Sequence, residues 1–210
     1  MTTPFSISDG RFLVNLARTA IGEYLSKGHE IDPPADTPKH LLEKSGVFVT
    51  LNSTKPAHQL RGCIGYPFPT DSLAVATTRS AIEAATGDPR FDPVELAEFK
   101  ERIVVEVSVL TVPEELTAKE PVERAKEIQI GRDGLIVGRG ARRGLLLPQV
   151  APEWKWDAEE FLSNCCLKAG LPPDAWLDKG TRVEKFQAII FEESGPNGEV
   201  HLKKMQGNQC

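Results

Sequence analysis

Long hydrophobic runs are missing from this chain: none approaches the ~18 residues of a membrane-spanning helix. The opening "MTTPFSISDGRF" also lacks the basic and apolar regions of a secretion signal, so a cytoplasmic location is the expectation. Cysteine is scarce. Cys63, Cys165, Cys166 and Cys210 form neither a C-x-x-C pair nor a zinc-ligand pattern, which argues against a disulfide scaffold or a zinc module and for reduced thiols. His29, His40, His58 and His201 include no pair at metal-ligand spacing. The glycine-rich phosphate-binding motifs G-x-G-x-x-G and G-x-x-x-x-G-K-[ST] are absent too, and no metal or cofactor is expected. Positive charge is not in excess. The net charge of −5 provides no general attraction to nucleic acid or to an anionic membrane. The one basic cluster, Arg139, Arg142 and Arg143 in "GRGARRG", reads as a solvated hairpin tip.

What is present is ordinary globular material, 210 residues with 40% hydrophobic and 26% charged. That length suits one large domain or two small subdomains. Phe12, Leu13, Leu16, Ala17, Ala20, Ile21, Tyr24 and Leu25 recur at helical spacing, with Ser8 as the expected cap and Gly28 as the stop. After a proline-marked loop, "GVFVTLN" and "LRGCIG" read as the two strands of a hairpin. "TDSLAVATTRSAIEAATG" reads as a second helix capped by Thr70 or Asp71, and "GDPRFDPV" as a turn-dense loop. Arg102–Pro113 is the longest strand signal. A short helix near Pro121, a hairpin over "DGLIVGRGARRGLLLPQV", a helix from Asp157 to Gly170 and a closing strand "RVEKFQAIIFEE" follow. Trp154 and Trp156 precede that helix and are expected to pack in the core, with an aromatic wall for a ligand as the alternative. Hairpins outnumber crossovers, which predicts an α+β fold with a mostly antiparallel sheet and packed helices. We expect one domain over residues 1–210, an ordered core over about 8–192, a subdomain junction near 113–127 and a weakly ordered tail over 194–210.

The stretch "LRGCIG" carries the chemistry. In an extended strand Arg61 and Cys63 share a face, with Cα atoms about 7 Å apart. A guanidinium at that range would favour the thiolate and lower the cysteine pKa. Gly62 would let backbone or ligand approach from the other face, and Gly65 would open a loop. Burial as a small hydrophobe is the competing reading for Cys63. In "GDPRFDP", Asp88 and Arg90 are candidate ligand contacts or plain loop staples. Glu106, inside "VVEVSVL", needs a partner if buried, and Arg61 or Arg90 is the expected one; Ser108 shares its face. His58, five residues before Cys63, is a candidate base.

Taken in order, "GVFVTL", "LRGCIG", "GDPRF", "EVSVL", "GRDGLIV", "GLLLPQVAPEW" and "FLSNCCLKAGL" resemble the AMMECR domain family over about residues 8 to 192. The resemblance implies a compact protein of one larger and one smaller subdomain, with Arg61, Gly62, Cys63, Ile64 and Gly65 at the family signature. It implies no assigned activity, and it implies MEMO-type and radical-SAM proteins as partners in a modification pathway. This chain holds no radical-SAM cysteine triplet. Two functions follow as expectations. One is an enzyme with catalytic Cys63, Arg61 and Glu106. The other is a non-catalytic binding module for a peptide, protein or anionic small molecule, with Arg61, Gly62, Gly65, Asp88 and Arg90 as contacts.

Overall fold

Burial in the first strand alternates without a break. In β1 (Val47–Thr54), Val47, Val49 and Leu51 are buried, while Phe48, Thr50 and Asn52 turn to the other face. The computed structural model describes residues 5–68 and 70–203, with 57 and 58 described by backbone alone. These residues form two compact units, the first from residues 5–110 and 189–203, the second from 111–188.

In the first unit, β1 pairs antiparallel with β2 (Ala57–Tyr66) and with β3 (Ile103–Leu110). Two helices, α1 (Ile7–Lys27) and α2 (Leu73–Thr86), pack on these strands and supply Leu13, Val14, Leu73 and Ala84 to one core with Val49, Val105 and Phe191. The cap of α1 is Ser6, not the expected Ser8. Asp9 three residues into the helix returns the bond to the Ser6 backbone, and that reciprocal pair decides the start. Gly28 ends the helix with φ 74°. Likewise Ser72, not Thr70 or Asp71, caps α2. A short helix, α3 (Leu96–Arg102), stands where the sequence suggested only loop and strand start. It lies just after the prolines of "GDPRFDP", which masked its start.

The second unit contains a two-residue strand β4 (Glu114–Glu115), the hairpin of β5 (Asp133–Arg139) and β6 (Arg142–Leu146), and two helices, α4 (Val150–Trp154) and α5 (Ala158–Lys168). Residues Pro121–Glu127 form a 3-10 turn. Asp157 and Glu160 cap α5 reciprocally. Phe161, Leu162, Cys165 and Cys166 pack with Leu135, Val137 and Trp176, so both cysteines are core residues, as their helical spacing suggests. A long strand, β7 (Arg182–Glu193), serves both units: its first half pairs with β4 and β5, its last three residues with β8 (Val200–Leu202). The α+β reading with an antiparallel sheet therefore holds. Two expectations do not. The division falls at residues 110–111, ahead of 113–127, and recurs inside β7 at 188–189. The segment after 193 is not a loose tail up to residue 203, because β8 is a paired strand and Val200 is buried in the core.

Candidate functional site

Three strands bring one polar row together. Cys63 on β2 stands opposite Thr50 on β1, and Thr50 stands opposite Glu106 on β3. Cross-strand partners share a face, so this row lies on the side away from Val49 and Val105. The Thr50 hydroxyl donates to Cys63 Sγ at 3.3 Å. Burial pushes the Cys63 thiol above its ordinary pKa; the Thr50 hydroxyl and Arg90 oppose this, while Glu106 and Asp88 add to it. Burial thus works against the thiolate, opposite in direction to the expected activation.

Arg61 is not the reason for anything at that sulfur. The register runs Leu51↔Gly62 and then Asn52↔Leu60, so Arg61 is the extra residue of a bulge. Its guanidinium turns to α3 and the loop before it. Nε donates to Glu98 Oε1 at 2.8 Å, NH1 to the Asp92 carbonyl at 2.7 Å, and NH2 to the Pro93 carbonyl and Glu98 Oε2. The cation acting on Cys63 is Arg90.

Asp88 and Arg90 do more than staple their own loop. Asp88 Oδ2 accepts the Cys63 backbone N–H at 2.8 Å, and Arg90 NH2 donates to the Cys63 carbonyl at 3.3 Å. Arg90 also forks onto Asp88, Nε to Oδ1 at 2.9 Å and NH2 to Oδ2 at 2.7 Å. Both outward backbone groups of Cys63 are thus met by the loop, which takes the place of a further strand beside β2. These donors hold the Asp88 carboxyl well below the usual carboxylate range.

The two signature glycines are packing positions. A Cβ at Gly62 would lie 2.0 Å from the Ala84 carbonyl oxygen of α2, and one at Gly65 would lie 2.4 Å from the Phe48 ring and the Val47 carbonyl oxygen. At Gly62 it is backbone, one of the two expected alternatives, that approaches closely, and Gly65 lies within β2 against Phe48 rather than opening a loop. Glu106 is buried, but its partner is Lys203, whose Nζ donates to Glu106 at 2.6 Å and to Glu192 at 2.9 Å, rather than Arg61 or Arg90. Burial raises the Glu106 carboxyl while Lys203 opposes the rise.

A cleft of about 460 Å³ opens beside this network, lined by Arg61, Pro89, Arg90, Phe91 and Asp92. Cys63 is not part of its lining. The Arg90 guanidinium lies 5.4 Å over the Phe91 ring, and its side chain is 54% exposed. Of the sequence candidates, the structure brings Asp88 and Arg90 onto the Cys63 backbone, sets Glu106 two strands away in the same row and turns Arg61 away from the sulfur. Sequence reasoning missed Thr50 and Lys203. Alternation in "GVFVTLN" puts Thr50 on the Cys63 side of the sheet; nothing marks Lys203, which sits in a polar tail. The His58 side chain and Cys210 lie outside the described residues. Among the described residues no group of three or more His, Cys, Asp or Glu is placed to hold a metal ion. No helix among them is long and apolar enough to cross a membrane. The arginines of the hairpin tip are engaged: Arg139 with Asp178 and Thr181, Arg142 with the Gly170 carbonyl, Arg143 with Glu184.

A Pyrococcus abyssi protein, PYRAB00100, is 59% identical over 198 residues, covering 93% of this chain and 96% of its own. A Pyrococcus furiosus protein is 60% identical over 198 residues, covering 93% of each chain. The crystal structure of the uncharacterized protein PH0010 from Pyrococcus horikoshii superposes with a TM-score of 0.81 at 57% identity, covering 92% of this chain and 96% of that one. The AMMECR1 family model matches residues 14–191, spanning the Cys63 strand, the Asp88–Arg90 loop and Glu106 alike. With that match and those relatives, the chain belongs to the AMMECR1 family.

Proposed function

We propose that this protein is a non-catalytic binding module whose cleft at Arg61 and Arg90 receives an anionic group of a small molecule or peptide. One observation carries the reading. Arg90 Nε and NH2 are fixed by Asp88 and Cys63, while NH1 has no protein partner among the described residues and the side chain is exposed at the cleft. A guanidinium held in this way meets a carboxylate or phosphate with little loss of freedom. The neighbouring carboxylates Asp88, Asp92 and Glu98 offset part of its charge, so binding is weak and salt-sensitive. Titration with inorganic phosphate and with succinate, followed by amide NMR shifts, tests this. Shifts at residues 61–63 and 88–92, lost in Arg90→Gln, reduced in Arg61→Ala and kept in Cys63→Ser, are expected. Unmoved amides there at tens of millimolar phosphate and succinate refute the reading.

The aligned Cys63, Thr50 and Glu106 favour a second reading, a cysteine enzyme in which Glu106 moves the thiol proton. It requires Cys63 to alkylate faster than an ordinary thiol at neutral pH, against the effect of its burial. The MEMO-type and radical-SAM partners implied by the resemblance divide the two readings. Under the binding reading, a complex with a MEMO-type protein survives Cys63→Ser and fails in Arg61→Ala; under the enzyme reading, the product disappears in Cys63→Ser.

A further inference from the structure

Exposed apolar surface is informative where side chains join into a contiguous patch rather than stand singly. In the second unit Trp154 is 67% exposed, although sequence placed it in the core. It is not loose. Its ring stacks on Trp156 with centroids 5.9 Å apart and planes 19° from parallel. Trp156 in turn packs against the core of Phe161, Leu162 and Ala151, and its backbone N–H donates to the Ala151 carbonyl at 2.9 Å. Between the two rings in sequence, Lys155 holds a left-handed conformation, φ 57° and ψ 34°. That geometry is costly for a residue other than glycine, asparagine or aspartate. The chain accepts it where α4 ends, and the two stacked rings form a plate with one indole presented to solvent.

The segment that carries the plate is acidic and exposed. From residue 153 to residue 160 the charged side chains are Glu153, Asp157, Glu159 and Glu160 against Lys155 alone, and all five residues are exposed. Asp157 and Glu160 are occupied by their mutual capping box. Glu153 and Glu159 have no ion-pair partner among the described residues. An indole face attracts cations, and carboxylates beside it select the same sign. Of the cationic side chains, arginine fits best: its guanidinium is planar, stacks on an indole and can fork onto a carboxylate at the same time.

We infer that the Trp154–Trp156 plate is a docking site for an arginine-bearing segment of a partner protein, the guanidinium stacking on Trp154 with Glu153 or Glu159 as its counter-charge. The site is built wholly from the second unit and does not depend on the cleft at Arg90. Three tryptophans make the test direct, because each gives one indole N–H resonance. Trp176 serves as the internal control: it is buried and its indole N–H donates to Ser163. The probe is an eight-residue peptide of alternating glycine and arginine, titrated into the full chain. Resonances of Trp154 and Trp156 are expected to move while that of Trp176 stays. Trp154→Ala weakens peptide binding about fivefold. Glu153→Gln and Glu159→Gln together weaken it by a similar factor, Lys155→Glu tightens it, and Arg90→Gln leaves it unchanged. Three outcomes overturn the inference: no movement of the two resonances, equal movement with the lysine or glutamate version of the peptide, or full binding by Trp154→Ala. Trp154→Ser repeats the measurement should the alanine variant fold poorly.

Discussion

Replacing Gly62 with alanine puts a methyl group where the structure has none to spare. The new Cβ would lie 2.0 Å from the Ala84 carbonyl oxygen and 3.0 Å from the carbon bearing it. Contacts of a real Cβ do not fall below 3.0 Å, so β2 and α2 must part by at least about 1 Å. The obstacle is backbone and cannot rotate away. Leu73, Ala76, Ala81, Ala84 and Ala85 of α2 all enter the core, and a gap of that size forfeits much of their dispersion contact. Overpacking of this kind costs about 3 kcal/mol, the upper end of the common range. An opposing effect is smaller: alanine restricts the unfolded chain and stabilises by roughly 0.5–1 kcal/mol. The net expectation is a loss of about 2 kcal/mol, read by urea denaturation, with a melting temperature lower by roughly 4–8 °C. Gly87→Ala is the control, since its Cβ would meet the Glu83 carbonyl oxygen at 3.4 Å. That variant is expected to stay within about 0.5 kcal/mol of wild type. If Gly62→Ala is equally benign, the signature glycine is not there for helix–sheet contact and the reasoning fails.

Further predictions concern buried charge and the thiol. Arg18 clamps Glu193, whose side chain is 1% exposed, through Nε and NH2 at 2.5 Å each. Arg18→Met should cost about 3–5 kcal/mol by denaturant unfolding, and a loss below about 1 kcal/mol would contradict the pairing. Lys203→Met leaves Glu106 and Glu192 without their shared cation. The Glu106 carboxyl is already raised, so what it contributes is fully present below its unfolded pKa and lost as pH rises through the folded one. Removing Lys203 raises it further; the variant's deficit, about 1–2 kcal/mol at neutral pH, should shrink as pH falls, and a deficit that grows on acidification refutes this. Iodoacetamide should label native Cys63 more slowly than free cysteine at neutral pH, with a rate still climbing above pH 9, by mass spectrometry. Buried Cys165, its thiol pushed up to about 12, should stay unlabelled unless the chain unfolds.

Most elements of the fold were legible because their signals are local. Alternation in "GVFVTLN", the run "RIVVEVSVL", the N-cap at Asp157 and the 3-10 turn at Pro121 all rest on neighbours within a few residues. The C-cap of α5 is Ala169, one residue before the expected Gly170, which is left-handed after it. Which candidates stand near one another was partly legible: Asp88 and Arg90 reach the Cys63 backbone, and Glu106 lies two strands over in the same row. Their roles were not. A one-residue bulge redirected Arg61, and nothing within "LRGCIG" announces a bulge whose partner strand is ten residues away in sequence. The Asp88–Arg90 loop meets Cys63 only because α2 carries the chain back along β2, a tertiary fact. Lys203 became the partner of Glu106 across 97 residues, and β8 became a strand through pairing with β7 rather than through its own composition. Trp154 stands exposed at the end of α4, and Lys155 after it takes a backbone conformation that no sequence rule assigns to lysine.

The double membership of β7 bears on how a ribosome delivers this protein. Phe191, near its end, lies directly on Gly10 of the first helix, where a Cβ would come within 2.0 Å of the ring. Val183, near its start, belongs to the other hydrophobic cluster. The first hundred residues therefore emerge without the strand that completes their own interior, and must wait while the intervening segment is translated. That segment is contiguous and can collapse first, so the domain begun earliest is finished last. A nascent chain stalled at residue 110 would leave the Phe191 seat on the first helix bare, an apolar surface of the kind chaperones bind.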